Sequence, residues 1–99
     1  MPTYIVLVNY DTEARKNIRD FPKGRDLVNK QVHSLGGKIS RYFTQGGFDA
    51  VAIIELPSDE AMQRLAMYVG SLGGIRTTTM RAFPEEEFVK LIGELPPPL

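Results

Sequence analysis

Two stretches of this chain are apolar at almost every position, and two others alternate. Tyr4 to Tyr10 and Phe48 to Leu56 are rich in β-branched and aromatic residues with few polar interruptions. That is the pattern of strands buried on both faces. Lys38 to Gln45 puts Ile39, Arg41 and Phe43 on one side and Ser40, Tyr42 and Thr44 on the other, which predicts a strand at a sheet edge. Ile75 to Phe83 reads as a threonine-rich edge strand. Between the strands the period changes. Asp11 and Thr12 are good helix caps, and Ala14, Ile18 and Phe21 then recur at helical spacing. Pro22 and Gly24 predict a break before a second helix, with Leu27, Val28, Val32 and Leu35 on one face. Gly36-Gly37 ends it, and Gly46-Gly47 predicts a hairpin turn. Ser58 caps the next helix, striped by Ala61, Leu65, Tyr68, Val69 and Leu72 and stopped by Gly73-Gly74. Pro84 and three glutamates open a last short helix carrying Phe88, Leu91 and Ile92.

The order β-α-β-β-α-β plus a C-terminal helix predicts an α+β fold of the ferredoxin-like kind. Its sheet is four-stranded and antiparallel in spatial order four-one-three-two, so the two apolar strands are central. Residues 1–95 read as one domain and 96–99 as a proline-rich tail; the length leaves no room for a second domain. Two helices cover one sheet face. Val51 and Ile53 point one way and Ala52 and Ile54 the other, so one pair lies on the face left open. An exposed apolar sheet face marks an interaction surface, and a second copy of the chain is its simplest cover. These four residues are therefore candidates for the interface of a homodimer, or of an oligomer built from dimers.

Charge and composition narrow the partners. Twelve basic residues balance twelve acidic ones, which gives no general pull toward nucleic acid or an anionic membrane. The chain has no cysteine, so disulfides, thiolate nucleophiles and Cys-based metal sites are excluded, and a reducing compartment suits it. The N-terminal sequence shows no basic leader, and no run reaches membrane-spanning length; the expectation is a cytoplasmic protein.

Most candidate chemistry has a structural explanation. His33, the single histidine, shares a polar stripe with Asp26, Asn29 and Lys30 and reads as a solvated surface residue. No metal-ligand spacing occurs, so neither metal nor cofactor is expected. Glu85, Glu86 and Glu87 suit the first turn of a helix without chemistry. The stretch Gly46 to Ile53 keeps the glycine, first aromatic and valine of an RNA-recognition motif. It lacks the basic residue and two of the stacking aromatics, so an RNA-binding module is the least favoured reading. Topology does gather Asn9, Tyr10, Thr44, Asp49 and Arg76 at one rim of the sheet. These are the candidate ligand-binding residues, with Arg76 as anchor for an anionic group and Asp49 orienting it. The competing reading is an Asp49–Arg76 ion pair that closes that end.

Several segments together resemble a known family. They are Leu35-Gly36-Gly37-Lys38, Tyr42-Phe43-Thr44, Gly47-Phe48-Asp49, Glu55 to Glu60, Gly70-Ser71-Leu72-Gly73, Arg76-Thr77-Thr78-Thr79 and Arg81-Ala82-Phe83. Over nearly its whole length the chain resembles the GYD-domain proteins, small proteins of the dimeric α/β-barrel type. The name-giving tripeptide reads Gly-Phe-Asp here. The resemblance implies the fold and self-association. It carries no established reaction, since similar families include monooxygenases, isomerases and ligand-sensing domains. Two readings follow. The first is a homo-oligomeric domain that binds a small polar or anionic molecule without catalysis. The alternative is a cofactor-free enzyme, monooxygenase- or isomerase-like, acting on a small carbonyl or phenolic compound with Asp49 or Tyr42 moving the proton. The lack of a base with a histidine-like pKa favours the first, and no catalytic residue is assigned.

Overall fold

Strand β1 (Thr3–Tyr10) lies at the centre of the sheet, antiparallel to β3 (Ala50–Glu55) on one side and to β4 (Ile75–Ala82) on the other. β2 (Lys38–Phe43) pairs with the far side of β3, so the order is β2-β3-β1-β4. This is the βαββαβ arrangement expected from the two continuous apolar runs. The computed structural model describes residues 1–98; Leu99, in the expected tail, lies outside the described residues.

The helices start where side chains satisfy their first N–H groups. Asp11 accepts from the Ala14 N–H at 2.8 Å to begin α1 (Thr12–Lys16), and Ser58 accepts from the Ala61 N–H at 3.2 Å to begin α3 (Asp59–Leu72). A 3₁₀ turn over Ile18–Asp20 leads into α2 (Phe21–Ser34). Pro22 does not break the pattern as expected. It sits in the first turn of α2, where a missing N–H leaves nothing unpaired; the interruption falls at Asn17 instead. β3 also begins two residues later than its apolar run, because Asp49 is drawn into the strand-end contacts described below.

One face of the sheet carries the core. Tyr4, Val6, Ala52 and Ile54 pack against Val32 of α2 and Ala61, Met62 and Leu65 of α3, with Leu56 wholly buried beside them. Ala52 and Ile54 are thereby withdrawn from the expected interface set, and Val51 and Ile53 remain on the uncovered face. Gly37 brings the turn after α2 close over this core. A Cβ there would collide with the Glu55 carbonyl oxygen and the Leu56 side chain.

The last helix, α4 (Glu85–Gly93), behaves differently. Every one of its residues is exposed, Phe88, Val89, Leu91 and Ile92 included. It lengthens the molecule to 57 Å and raises the radius of gyration to 15.9 Å, against about 13 Å for a compact chain of this size.

Candidate functional site

The helix-side face of the sheet is a grid, because residues paired across strands project to the same side. One row runs Ile39, Ile54, Tyr4, Arg81. The next runs Arg41, Ala52, Val6, Thr79, and the third Phe43, Ala50, Val8, Thr77. Tyr10 and Ile75 complete the face at the open end. The first row is bulky. The second and third place alanine at the middle of the sheet and threonine on β4. On the helix above, Ala66 of α3 is again small, and Leu72 is displaced outward to 43 % exposure. Helices resting on bulky side chains at one end and alanines at the other leave a wedge of space.

That wedge is a cleft of about 590 Å³, lined in its depth by Val6, Val8, Ala50, Ala52, Val28 and Val69. The volume falls in the range of small-ligand sites. Glu13, Asp20, Lys23 and Arg25 stand at its margin, and the sheet contributes Arg41, Tyr10, Thr77 and Thr79 to its polar lining. Arg41 donates from Nη1 to Asn29 Oδ1 at 2.7 Å, and no carboxylate among the described residues forms an ion pair with it. Burial holds its guanidinium below the ordinary arginine value, and Arg25 adds to that, while Tyr10 acts the other way. Burial raises the Tyr10 phenol, with the Asp49 carboxylate adding to the effect and Arg41 opposing it. The phenol is therefore a protonated donor at neutral pH. Among the described residues no three His, Cys, Asp or Glu side chains converge to hold a metal.

The five residues expected at the rim do meet at that end of the sheet, but they divide between its faces. Tyr10 points into the cleft. Asn9 and Arg76 pair across β1 and β4 on the uncovered side, with Arg76 exposed. Asp49 joins neither group. Its N–H donates to the Val8 carbonyl at 2.8 Å, its carbonyl accepts from the Thr44 N–H at 3.0 Å, and its Oδ2 accepts from the Tyr10 N–H at 2.8 Å. Thr44 Oγ1 donates to the Phe48 carbonyl at 2.6 Å, closing the same loop. The expected Asp49–Arg76 pair is not formed, since pairing register sends the arginine to the other face. Arg15 of α1 takes its place, 3.5 Å from Asp49 Oδ2. Arg41 is the cleft residue that the rim argument passed over. Its signal was in the alternation Ile39-Arg41-Phe43, a charge in phase with residues that face the helices.

Comparison with known proteins agrees with this architecture. A protein of Thermus thermophilus described as "Glutamine synthetase and cystathionine beta-lyase binding protein" is 24 % identical over 91 residues, covering 90 % of this chain and 96 % of the relative. The crystal structure of TTHA0845, also from Thermus thermophilus, superposes with a TM-score of 0.57 at 23 % identity, covering 85 % of this chain and 95 % of that one. At3g17210 from Arabidopsis thaliana gives a TM-score of 0.55 at 12 % identity, covering 85 % and 95 %. At such identities these structures establish the fold alone. The GYD domain profile matches residues 4–92, which takes in all but the first residue of the sheet and both long helices. The chain belongs to the GYD domain family.

Proposed function

We propose that this protein is a homo-oligomeric, cytoplasmic binding domain whose helix-side cleft holds a small molecule without transforming it. The observation that carries this reading is the cleft itself, a large apolar wedge with one cationic side chain directed into it. Its polar sheet residues are an arginine, a protonated phenol and two threonines, and none is a general base near neutral pH. The two side chains that an enzymatic reading would use lie elsewhere. Tyr42 projects from the uncovered face with 64 % exposure, and the Asp49 carboxylate is held by the Tyr10 N–H and Arg15.

Self-association is supported by what the single chain leaves bare. Ile5, Leu7, Val51, Ile53 and Met80 share the uncovered sheet face. An isolated helix as short as α4 has little stability of its own in water, and a second copy lying against the sheet and this arm would cover both. The relative described as binding two enzymes favours a second reading, in which the same surfaces take a different protein. Sedimentation velocity separates the two. The expected result is a dimer or larger assembly at micromolar concentration, and a monodisperse monomer would leave those surfaces to another partner. For the cleft, a fragment screen followed by amide chemical shifts is expected to perturb Val8, Tyr10, Val28 and Ala52. Shifts confined to the uncovered face, or absent throughout, would refute the binding reading.

A further inference from the structure

We infer that the cleft takes an organic carboxylate with an aromatic or branched apolar body, its charged end bound by Arg41. This deepens the binding reading above and rests on it.

The argument begins with the place of the arginine. Arg41 stands on the helix-facing side of β2, in a row whose other members are Ala52, Val6 and Thr79. A guanidinium in a half-buried apolar setting is costly unless its charge and donors are met. Here Asn29 Oδ1 meets one donor of a group that carries five, and no carboxylate within the described residues answers the charge. The unused donors form the planar fork that fits a carboxylate through two parallel hydrogen bonds.

The floor beside it is flat and apolar. Ala52 lies between Arg41 and Val6, and Ala50 between Phe43 and Val8, so nothing rises from the sheet in front of the guanidinium. From β2 to β4 is three strand spacings, roughly 14 Å. That is enough for a fused two-ring body lying across Ala50 and Ala52 beneath Val28 and Val69. Tyr10 closes the open end with a donor, and Thr77 and Thr79 offer hydroxyls at the far side. The charges at the margin do not oppose an anion. Lys23 and Arg25 stand there with Glu13 and Asp20, and Arg41 inside adds a net positive charge. A cation would meet Arg41 unscreened, and a neutral apolar ligand would cover the guanidinium without satisfying it.

The test uses 2-naphthoate and 2-naphthamide, which share a ring system and differ in charge. Binding to the whole protein is measured by calorimetry, with amide chemical shifts recording the place. The expected result is naphthoate bound at least tenfold more tightly than naphthamide, with shifts at Val8 and Ala52 and a preference that weakens as salt is raised. Arg41→Gln should bring naphthoate down to the level of the amide, and Arg41→Lys should fall between. Equal binding of both compounds in the cleft of the unaltered protein overturns the carboxylate inference and leaves the binding reading standing. So does a preference that survives Arg41→Gln. If neither compound binds at millimolar concentration the carboxylate inference fails, and if the fragment hits also keep their affinity in Ala66→Leu, which narrows the cleft, the binding reading falls with it.

Discussion

The two faces of the central strands both carry aliphatic side chains and bury them unequally. On the helix side Tyr4, Val6, Ala52 and Ile54 are each 6 % exposed or less. On the other side Ile5, Leu7 and Val51 are only partly covered and Ile53 is 38 % exposed. The chain's own helices cover one face and leave the aliphatic side chains of the other partly exposed. Within the covered face there is a second difference. Around Tyr4, Val6 and Ile54 it is tightly packed, and toward Val8, Tyr10 and Ile75 it opens into the cleft. Side-chain volume decides which part of one continuous apolar face becomes core and which becomes a cleft.

Lysine substitution separates the faces most sharply. Ile54→Lys places an unpaired charge in the core, and about 3–5 kcal/mol of destabilisation is expected, much of a small domain's total. Ile53→Lys, one position away, should leave the monomer's stability within about 0.5 kcal/mol of the original and reduce the sedimenting mass. Chemical denaturation and sedimentation check the pair. Equal loss of stability at both positions would mean that the uncovered face is not a surface at all.

Gly37 tests how tightly the covered face is closed. Gly37→Ala drives a methyl group against the Glu55 carbonyl and Leu56, and neither backbone nor a fully buried leucine has room to yield. A loss of about 1–3 kcal/mol by denaturant melting is expected, with the sedimenting mass unchanged.

Much of this was legible in the sequence, and the parts that were not share a cause. Continuous apolar runs put β1 and β3 at the centre, and Gly36-Gly37 and Gly73-Gly74 marked the helix ends. Pro22 was ambiguous, because proline is a breaker inside a helix and favoured in its first turn, and only Asn17 leaving the helical path settled which. Alternation along a strand says that Val51 and Ala52 face opposite ways. It does not say which faces the helices, since that depends on pairing with strands distant in the chain. The same missing register hid the separation of Asp49 from Arg76. It also obscured Arg41, whose companions in its row, Ala52 and Val6, come from two other strands.

Tyr4 marks the packed end of the covered face. Its hydroxyl donates to the Asp59 carboxylate in the first turn of α3. Burial foremost, with that hydrogen bond and the charge of Asp59 assisting, pushes its phenol up from 10.0 to about 12. The folded state holds this proton more tightly than the unfolded chain. The resulting stability is therefore fully present below pH 10 and declines as the pH rises from about 10 through about 12. Tyr4→Phe should cost about 1 kcal/mol at neutral pH, because water can serve the exposed Asp59 once the phenol is gone. The variant should also lose most of the alkaline decline. A decline of the same size in Tyr4→Phe would assign it to another group.

The smallest expected effect is the loss of charge at Asp49, where the sheet's open end is tied to α1. Its carboxylate does two things, and they are separable. The contact with Arg15 at 3.5 Å joins side chains that are 65 % and 30 % exposed, so solvent screens it. Exposed pairs of this kind contribute about 0.2–1 kcal/mol at most, and less as salt rises. The bond from the Tyr10 N–H at 2.8 Å holds the last residue of β1 and with it the wall of the cleft. Asp49→Asn keeps an oxygen for that N–H and gives up the charge, so it should match Arg15→Ala, with both costs fading in high salt. Asp49→Ala removes the acceptor as well and should cost about 1 kcal/mol more, independent of salt. Thermal melts of the three variants at low and high salt measure this. If Asp49→Asn and Asp49→Ala are equally destabilised, the charge rather than the acceptor braces this end, and the cleft's wall depends on an ion pair that ordinary cellular salt already weakens.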